Sequence, residues 1–207
     1  MNGTSRGTNG VTRMPSNLGY RLPVRAVIYP EMKRSVLLAA CVAATAFAQP
    51  APSPKLDQLE PFLGLWRCSG TAFTTPLSKE HKTRAWIHVT SELSGFWVDS
   101  EFSEDRTSEN PHPNAGKVHW GFDETTQKFT GSAVDNNGGL NTPLESDGMQ
   151  GDTIVWRGTA HTAAGTFATR DTFTRKSSTE IAHTGEAFLN GVWIKLDEES
   201  CRKFRFF

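Results

Sequence analysis

From Leu65 onward the chain alternates apolar and polar residues in short runs, with no intervening stretch of helical period. Trp97-Val98-Asp99-Ser100-Glu101-Phe102 is one such run, its side chains assigned by turns to two faces. The spacing predicts strands over 65–73, 83–93, 96–103, 117–122, 128–135, 153–161, 166–174, 179–188 and 192–203. Turn-forming clusters separate them at Ser94-Gly95, 123–127, Lys176-Ser177-Ser178 and Leu189-Asn190-Gly191. Two longer polar loops are expected over 104–116 and 136–152. Roughly nine strands joined mainly by tight turns favour an antiparallel meander, and a sheet that long curls or closes because closure removes its exposed edges. The expected fold is all-β, an antiparallel up-and-down β-barrel of about nine or ten strands, with a β-sandwich as the alternative. Ahead of it, Leu56, Leu59, Phe62 and Leu63 are spaced as one short N-terminal helix that ends at Gly64.

The segment before the strands has the order a translocon reads. Basic Lys33 and Arg34 precede an apolar run from Val36 to Ala46, then Ala46-Phe47-Ala48 before Gln49-Pro50 supplies small residues at a cleavage site. That run is too short for the ~20 residues of a membrane-spanning helix. Residues 32–48 therefore read as a signal peptide and 49–55 as a Pro-rich lead-in to a single domain over 56–207. Residues 1–31 lack sustained apolar periodicity and read as a disordered leader or as sequence upstream of a true start at Met32. The expected location is periplasmic or secreted. Leu38-Ala39-Ala40-Cys41 also has the form of a lipobox, which leaves lipid anchoring through Cys41 as a second reading.

Cleavage after Ala48 would leave 16 basic and 21 acidic residues, a net charge of −5. With no basic run interleaved with aromatics, the chain lacks the electrostatic footprint of a nucleic-acid binder.

The stretch Phe62-Leu63-Gly64-Leu65-Trp66-Arg67-Cys68-Ser69-Gly70 resembles the G-x-W start of the first strand in lipocalin-like (calycin) barrels. The whole order of features is similar to an uncharacterised bacterial family of exported calycin-like domains. It comprises the Leu-rich helical lead, Gly64-x-Trp66, Gly95-Phe96-Trp97, Gly121-Phe122-Asp123, Asp135 before a Gly-rich loop, and a last strand from Trp193 to Arg202. The resemblance implies that Trp66 packs at the closed end beneath an arginine of the last strand, Arg202 or Arg205. The later motifs of true lipocalins are missing.

In such a closed meander the first and last strands are neighbours. Cys68 and Cys201, the two cysteines left after signal cleavage, can then bridge the seam as a disulfide; the alternative is two buried reduced thiols. No C-x-x-C or other metal-ligand spacing is present, and no metal is expected.

No G-x-S-x-G, H-E-x-x-H, G-x-G-x-x-G or P-loop pattern occurs, so the catalytic residues, if any, are unknown. Histidines 88, 119, 161 and 183 fall in strands, while His81 and His112 fall in loops. His183 shares a small, apolar strand face with Ile181, Gly185 and Ala187. The chain also resembles haem-binding barrels of the nitrobindin type, which start with a G-x-W strand, and that likeness implies His183 as an axial haem ligand; otherwise no cofactor is expected. Asp99, Glu101, Asp135 and Asp171, with Arg170 as anion partner, are available for acid–base work or are ordinary strand-surface charges. The run Asp197-Glu198-Glu199 reads as a solvated strand end. Trp97, Trp120, Trp156 and Trp193 either line a cavity or fill the core.

Two functional classes follow. One is an exported lipocalin-like barrel that binds a small apolar or amphipathic ligand, with Trp97, His119, Trp120, Trp156, Arg170 and His183 as candidate contacts. The other is a barrel-mouth enzyme of isomerase, cyclase or hydrolase type, using His119, Asp135, Arg170 or His183. Binding is the favoured reading, and the state of the barrel interior separates the two.

Overall fold

The computed structural model describes residues 50–75 and 79–205. The signal segment 32–48, Cys41 and the leader 1–31 lie outside the described residues. Eleven strands are present: β1 (Gly64–Ala72), β2 (His81–Glu92), β3 (Trp97–Glu104), β4 (Ala115–Asp123), β5 (Lys128–Asp135), β6 (Leu140–Ser146), β7 (Met149–Gln150), β8 (Thr153–Thr162), β9 (Gly165–Arg175), β10 (Glu180–Leu189) and β11 (Val192–Lys203). Each of β1 to β6 and β8 to β11 pairs antiparallel with its neighbours, β11 returns to β1, and β6 reaches β8. Ten strands thus close into a barrel, with the two-residue β7 beside β8. Among the described residues no helix is long and apolar enough to cross a membrane.

One barrel strand differs from the sequence expectation. The turn-rich composition of 136–152 suggests a loop, yet β6 pairs with both β5 and β8. Pro143 lacks an amide donor, and the pairing shifts register between Asn141 and Glu145, where it lies. Its side chain is exposed, and Leu144 and Ser146 keep the inward alternation that closes the barrel.

The short helix is a 3-10 segment over Pro54–Phe62. Three residues per turn align Leu56, Leu59 and Phe62 in one row, and all three are buried. This row plugs the end of the barrel where β1 begins, packing into the same core as Trp66, Phe129 and Trp156. The backbone N–H of Met149 donates to the Gln58 side chain at 2.9 Å, fastening the plug to β7.

Trp66 anchors this closed end. Its indole N–H donates to the Phe62 carbonyl at 2.7 Å, and the Lys203 ammonium lies 5.1 Å from its ring centre. The cation over Trp66 is therefore Lys203 and not Arg202. The register pairs Trp66 with Lys203 and Arg67 with Arg202, and strand alternation sends Arg202 to the opposite face, where it is exposed.

Cys68 and Cys201 face each other across the β1–β11 seam and form the disulfide. The core around them belongs to the closed half, where Phe129, Ile154 and Trp156 are each 1% exposed. The loops between β3 and β4, β5 and β6, β8 and β9, and β10 and β11 gather at the other, open end. The longest of these described throughout is held by Glu104, whose carboxylate accepts from the Asn110 side chain at 2.9 Å and from the Asn114 backbone at 2.8 Å.

Candidate functional site

The inward faces of β9, β10 and β11 carry a polar cluster in the open half of the barrel. Strand pairing places Gly185 on β10 opposite Asp171 on β9 and opposite Asp197 on β11. His183, two residues along the same face, is thereby flanked diagonally by both carboxylates. Its Nε2 lies 3.4 Å from Asp171 Oδ1 and its Nδ1 lies 3.1 Å from Asp197 Oδ1. Gly185 makes this convergence possible: a Cβ there would stand 2.5 Å from Asp197 Oδ2. Phe173, in register with His183, stacks on the imidazole at 4.5 Å between ring centres.

Next along β11, Glu199 is in register with His183, and its carboxylate accepts the Thr83 hydroxyl at 2.7 Å. Solvent reaches the cluster from the open end, with the side chains of His183, Asp171 and Asp197 exposed by 15%, 34% and 30%.

The electrostatics follow from this enclosure. Burial alone would lower the pKa of His183, but Asp197 and Asp171 outweigh it and push it up to about 10. The same imidazolium holds Asp197 below the ordinary carboxylate range, against the opposing effect of its burial. Burial raises the pKa of Glu199, only partly offset by the Thr83 hydrogen bond. At neutral pH the imidazole is a cation held by two carboxylates. Both ring nitrogens are directed at carboxylates, Nε2 at Asp171 and Nδ1 at Asp197.

The other residues singled out from sequence are distributed over both faces. Trp120 and Trp156 point inward and stack at 5.3 Å, as buried core beneath the polar cluster. Trp97 lies on the outer face against Gly121. His119 is also outside, with Nδ1 2.8 Å from Asp99 Oδ1. Arg170 is outside too, bound through two nitrogens to Glu186 at 2.7 and 2.8 Å and lying over the Trp193 ring. Glu101 pairs with Lys117 on the surface, and Asp135 caps the β5–β6 turn by accepting from the backbone of Asn137 and Gly139.

The structure thus brings His183 and Asp171 together and adds Asp197 and Glu199, which composition alone assigns to a solvated strand end. The signal that identifies them is parity with Cys201: an inward Cys201 requires Glu199 and Asp197 to point inward as well. Glu198, between them, faces out and pairs with Lys195.

Among the described residues, Cys68, Glu199 and Cys201 form a grouping of metal-ligand type. The two sulfurs are bonded to each other and offer no thiolate. A groove of about 540 Å³ also crosses the outer face of β2 to β5 at Trp86, His88, Glu101 and Val134, open to solvent along its length.

Fold and site together define a closed antiparallel β-barrel with one plugged end and a polar cluster inside the other. The chain belongs to the family described as protein of unknown function DUF1579, whose profile matches residues 51–195. No curated protein matches it. Among solved structures it is similar to that of Rv2717c from M. tuberculosis, with a TM-score of 0.55 at 10% identity, covering 74% of this chain and 99% of that one. A redesigned β-barrel aligns at a TM-score of 0.40 and 12% identity, over 75% of this chain and 100% of its own.

Proposed function

We propose that this protein is an exported, lipocalin-like barrel that holds a small amphipathic ligand in its open half. The observation that carries the reading is the division of the interior. The plugged half is filled by Trp66, Phe129, Ile154 and Trp156. The other half presents small side chains such as Ala133, Gly158 and Thr169 around a solvent-reached cluster of His183, Asp171 and Asp197. Apolar walls with a few convergent polar groups at one place suit a ligand with an apolar body and one polar end. Trp120 and Phe173, in edge contact at 6.1 Å, supply the aromatic floor. Export is supported by the basic, apolar and small-residue order of 32–48 and is consistent with the disulfide.

The test is saturable uptake of N-phenyl-1-naphthylamine, a neutral probe that fluoresces in apolar sites, by the purified protein. One site per chain is expected. Ala133→Trp, which puts a bulky side chain on the inner face at the edge of the core, should abolish uptake while leaving the far-ultraviolet circular dichroism unchanged. Uptake that is absent, or is unaltered in the Ala133→Trp variant, would overturn the reading.

A second reading, a barrel-mouth enzyme, is favoured by the convergence of four ionisable groups on one inner face. In that case Glu199, whose burial favours its protonated form, is the proton donor, because His183 is already charged at neutral pH. Glu199→Gln would then abolish turnover and leave probe uptake intact.

A further inference from the structure

We propose that one side of the open rim docks on a lipid bilayer, a phospholipid surface without net charge into which the tips of the β5–β6 and β10–β11 hairpins insert. The first support is the contrast between the turns at the two ends of the barrel. Residues 187–194, the tip of the β10–β11 hairpin, and residues 159–169, the tip of the neighbouring β8–β9 hairpin, contain no Asp, Glu, Lys or Arg. The next tip, between β5 and β6, has Asp135 alone, and that carboxylate accepts from the backbone N–H groups of Asn137 and Gly139. At the plugged end, Asp123, Glu124 and Lys128 mark the β4–β5 turn, and Arg175, Lys176 and Glu180 mark the β9–β10 turn. In a chain of which 21% is charged, three adjoining tips so poor in charge form a sector suited to leaving water.

The second support is where apolar side chains are exposed. Val192 is 57% exposed at the β10–β11 turn, and behind it Phe188 and Trp193, in register and 5.5 Å apart, are exposed as well. On the β5–β6 tip, Val134 and Leu140 make a second exposed pair in register. At the plugged end Leu93 stands singly beside Glu92, and on the outer wall Trp86 packs against Phe204 and Arg67.

Two features select a bilayer over a protein partner. The exposed apolar side chains sit on separate points with the small residues Ala163, Ala164 and Gly165 between them, and a fluid surface can close around each point. Directly behind the β10–β11 tip runs a row of charge, where Glu186 is in register with Arg170 on one side and Lys195 on the other. Arg170 binds Glu186 through two nitrogens and lies 4.5 Å from the Trp193 ring centre, while Lys195 pairs with Glu198. Apolar tip, aromatic boundary and ion pairs follow one another as hydrocarbon, interface and water do. The cations of this row are engaged by carboxylates of the same strands, so the matching surface is zwitterionic and not anionic. Across the mouth the β3–β4 loop carries Asp105, Arg106 and Glu109, so the barrel leans on its uncharged side. The docking rests on the rim alone; where the cup also holds an amphipathic ligand, the mouth faces a membrane that can supply it.

The experiment is partition of the full chain onto phosphatidylcholine vesicles whose acyl chains carry bromine, a quencher of tryptophan fluorescence. Quenching is expected, to the same extent at low and high salt. Trp193→Phe should remove it while the protein still sediments with the vesicles, which identifies the inserted element whatever else in the chain meets lipid. Val192→Asp and Leu140→Asp, both at exposed positions, should each raise the lipid concentration at half-quenching about tenfold with the far-ultraviolet circular dichroism unchanged. Quenching that is absent, or equal in Trp193→Phe, overturns the docking, as does quenching that appears only with phosphatidylglycerol and disappears with salt. A dimer in sedimentation velocity that Val192→Asp splits overturns it in favour of a second copy on the rim. Uptake of N-phenyl-1-naphthylamine tests the cup separately, and its failure leaves the docking standing.

Discussion

Trp120 and Trp156 lie face to face, 5.3 Å apart and 14° from parallel, and Trp156 is in register with Asp171. The aromatic floor and the polar cluster are therefore adjoining layers of one interior. The stack closes the plugged half from above, so removing half of it opens a void beneath the cluster. Trp156→Ala should destabilise the fold by about 3–5 kcal/mol, measured by urea unfolding, whereas Trp156→Phe should cost distinctly less. A loss within ±0.5 kcal/mol for the alanine variant would mean that the stack does not hold the barrel together.

Stability should fall on the alkaline side. The pKa of His183 rises from 6.5 in the unfolded chain to about 10 in the fold, so its contribution is complete below pH 6.5 and disappears as pH climbs through about 10. Glu199, also raised, acts with the same sign, because the fold resists its ionisation. Asp197 acts oppositely, its contribution being present above 3.8 and lost as pH falls below that value. Urea unfolding across pH 6 to 10 should show a decline of a few kcal/mol in the native protein and a much flatter profile in His183→Gln.

Gly185 makes a sharp steric test. Its missing Cβ is what lets Asp197 lie across β10, so Gly185→Ala should push that carboxylate away from His183. The pKa of His183, followed by the NMR shifts of its ring, should then drop toward 6.5 by about one unit or more. An unchanged titration would show that Asp197 holds the imidazole by another route.

The Cys68–Cys201 bond spans a sequence separation of 133 residues. Replacing both cysteines by alanine should cost roughly 2–5 kcal/mol, by denaturant unfolding of the oxidised and variant proteins side by side. Equal stabilities would show that the seam is held by β1–β11 pairing alone.

Secretion has its own readout. Expressed from Met32 in a bacterial host with an outer membrane, the protein is expected in the periplasm with a mature N-terminus at Gln49, measured by intact mass. A mass that retains residues 32–48 would refute cleavage at Ala48, and one carrying a diacylglycerol on Cys41 would establish the lipobox instead.

Period-two alternation was enough to read the strands and the closure, because a half-buried sheet writes its faces into the chain. It failed at β6, where Pro143 and the surrounding glycines and asparagines imitate a loop. The site was harder to read because its members come from three strands and meet only through register. His183 was recognisable as inward from its small neighbours Gly185 and Ala187, but nothing local ties it to Asp171 or Asp197. Parity settles the rest: Cys201 inward carries Glu199 and Asp197 with it, and places Lys203 rather than Arg202 over Trp66. A one-residue difference in phase decides whether the same charges are surface or site.

The disulfide at the seam joins the first strand to the last, so from Cys68 through every strand to Cys201 the barrel is a covalent macrocycle. A proteolytic nick in an exposed turn, such as Asn190-Gly191 between β10 and β11, leaves both pieces on the ring. Such a cut yields one molecule with new ends, as circular permutation would. The order of strands in the gene is then only the point at which the ring happens to be opened.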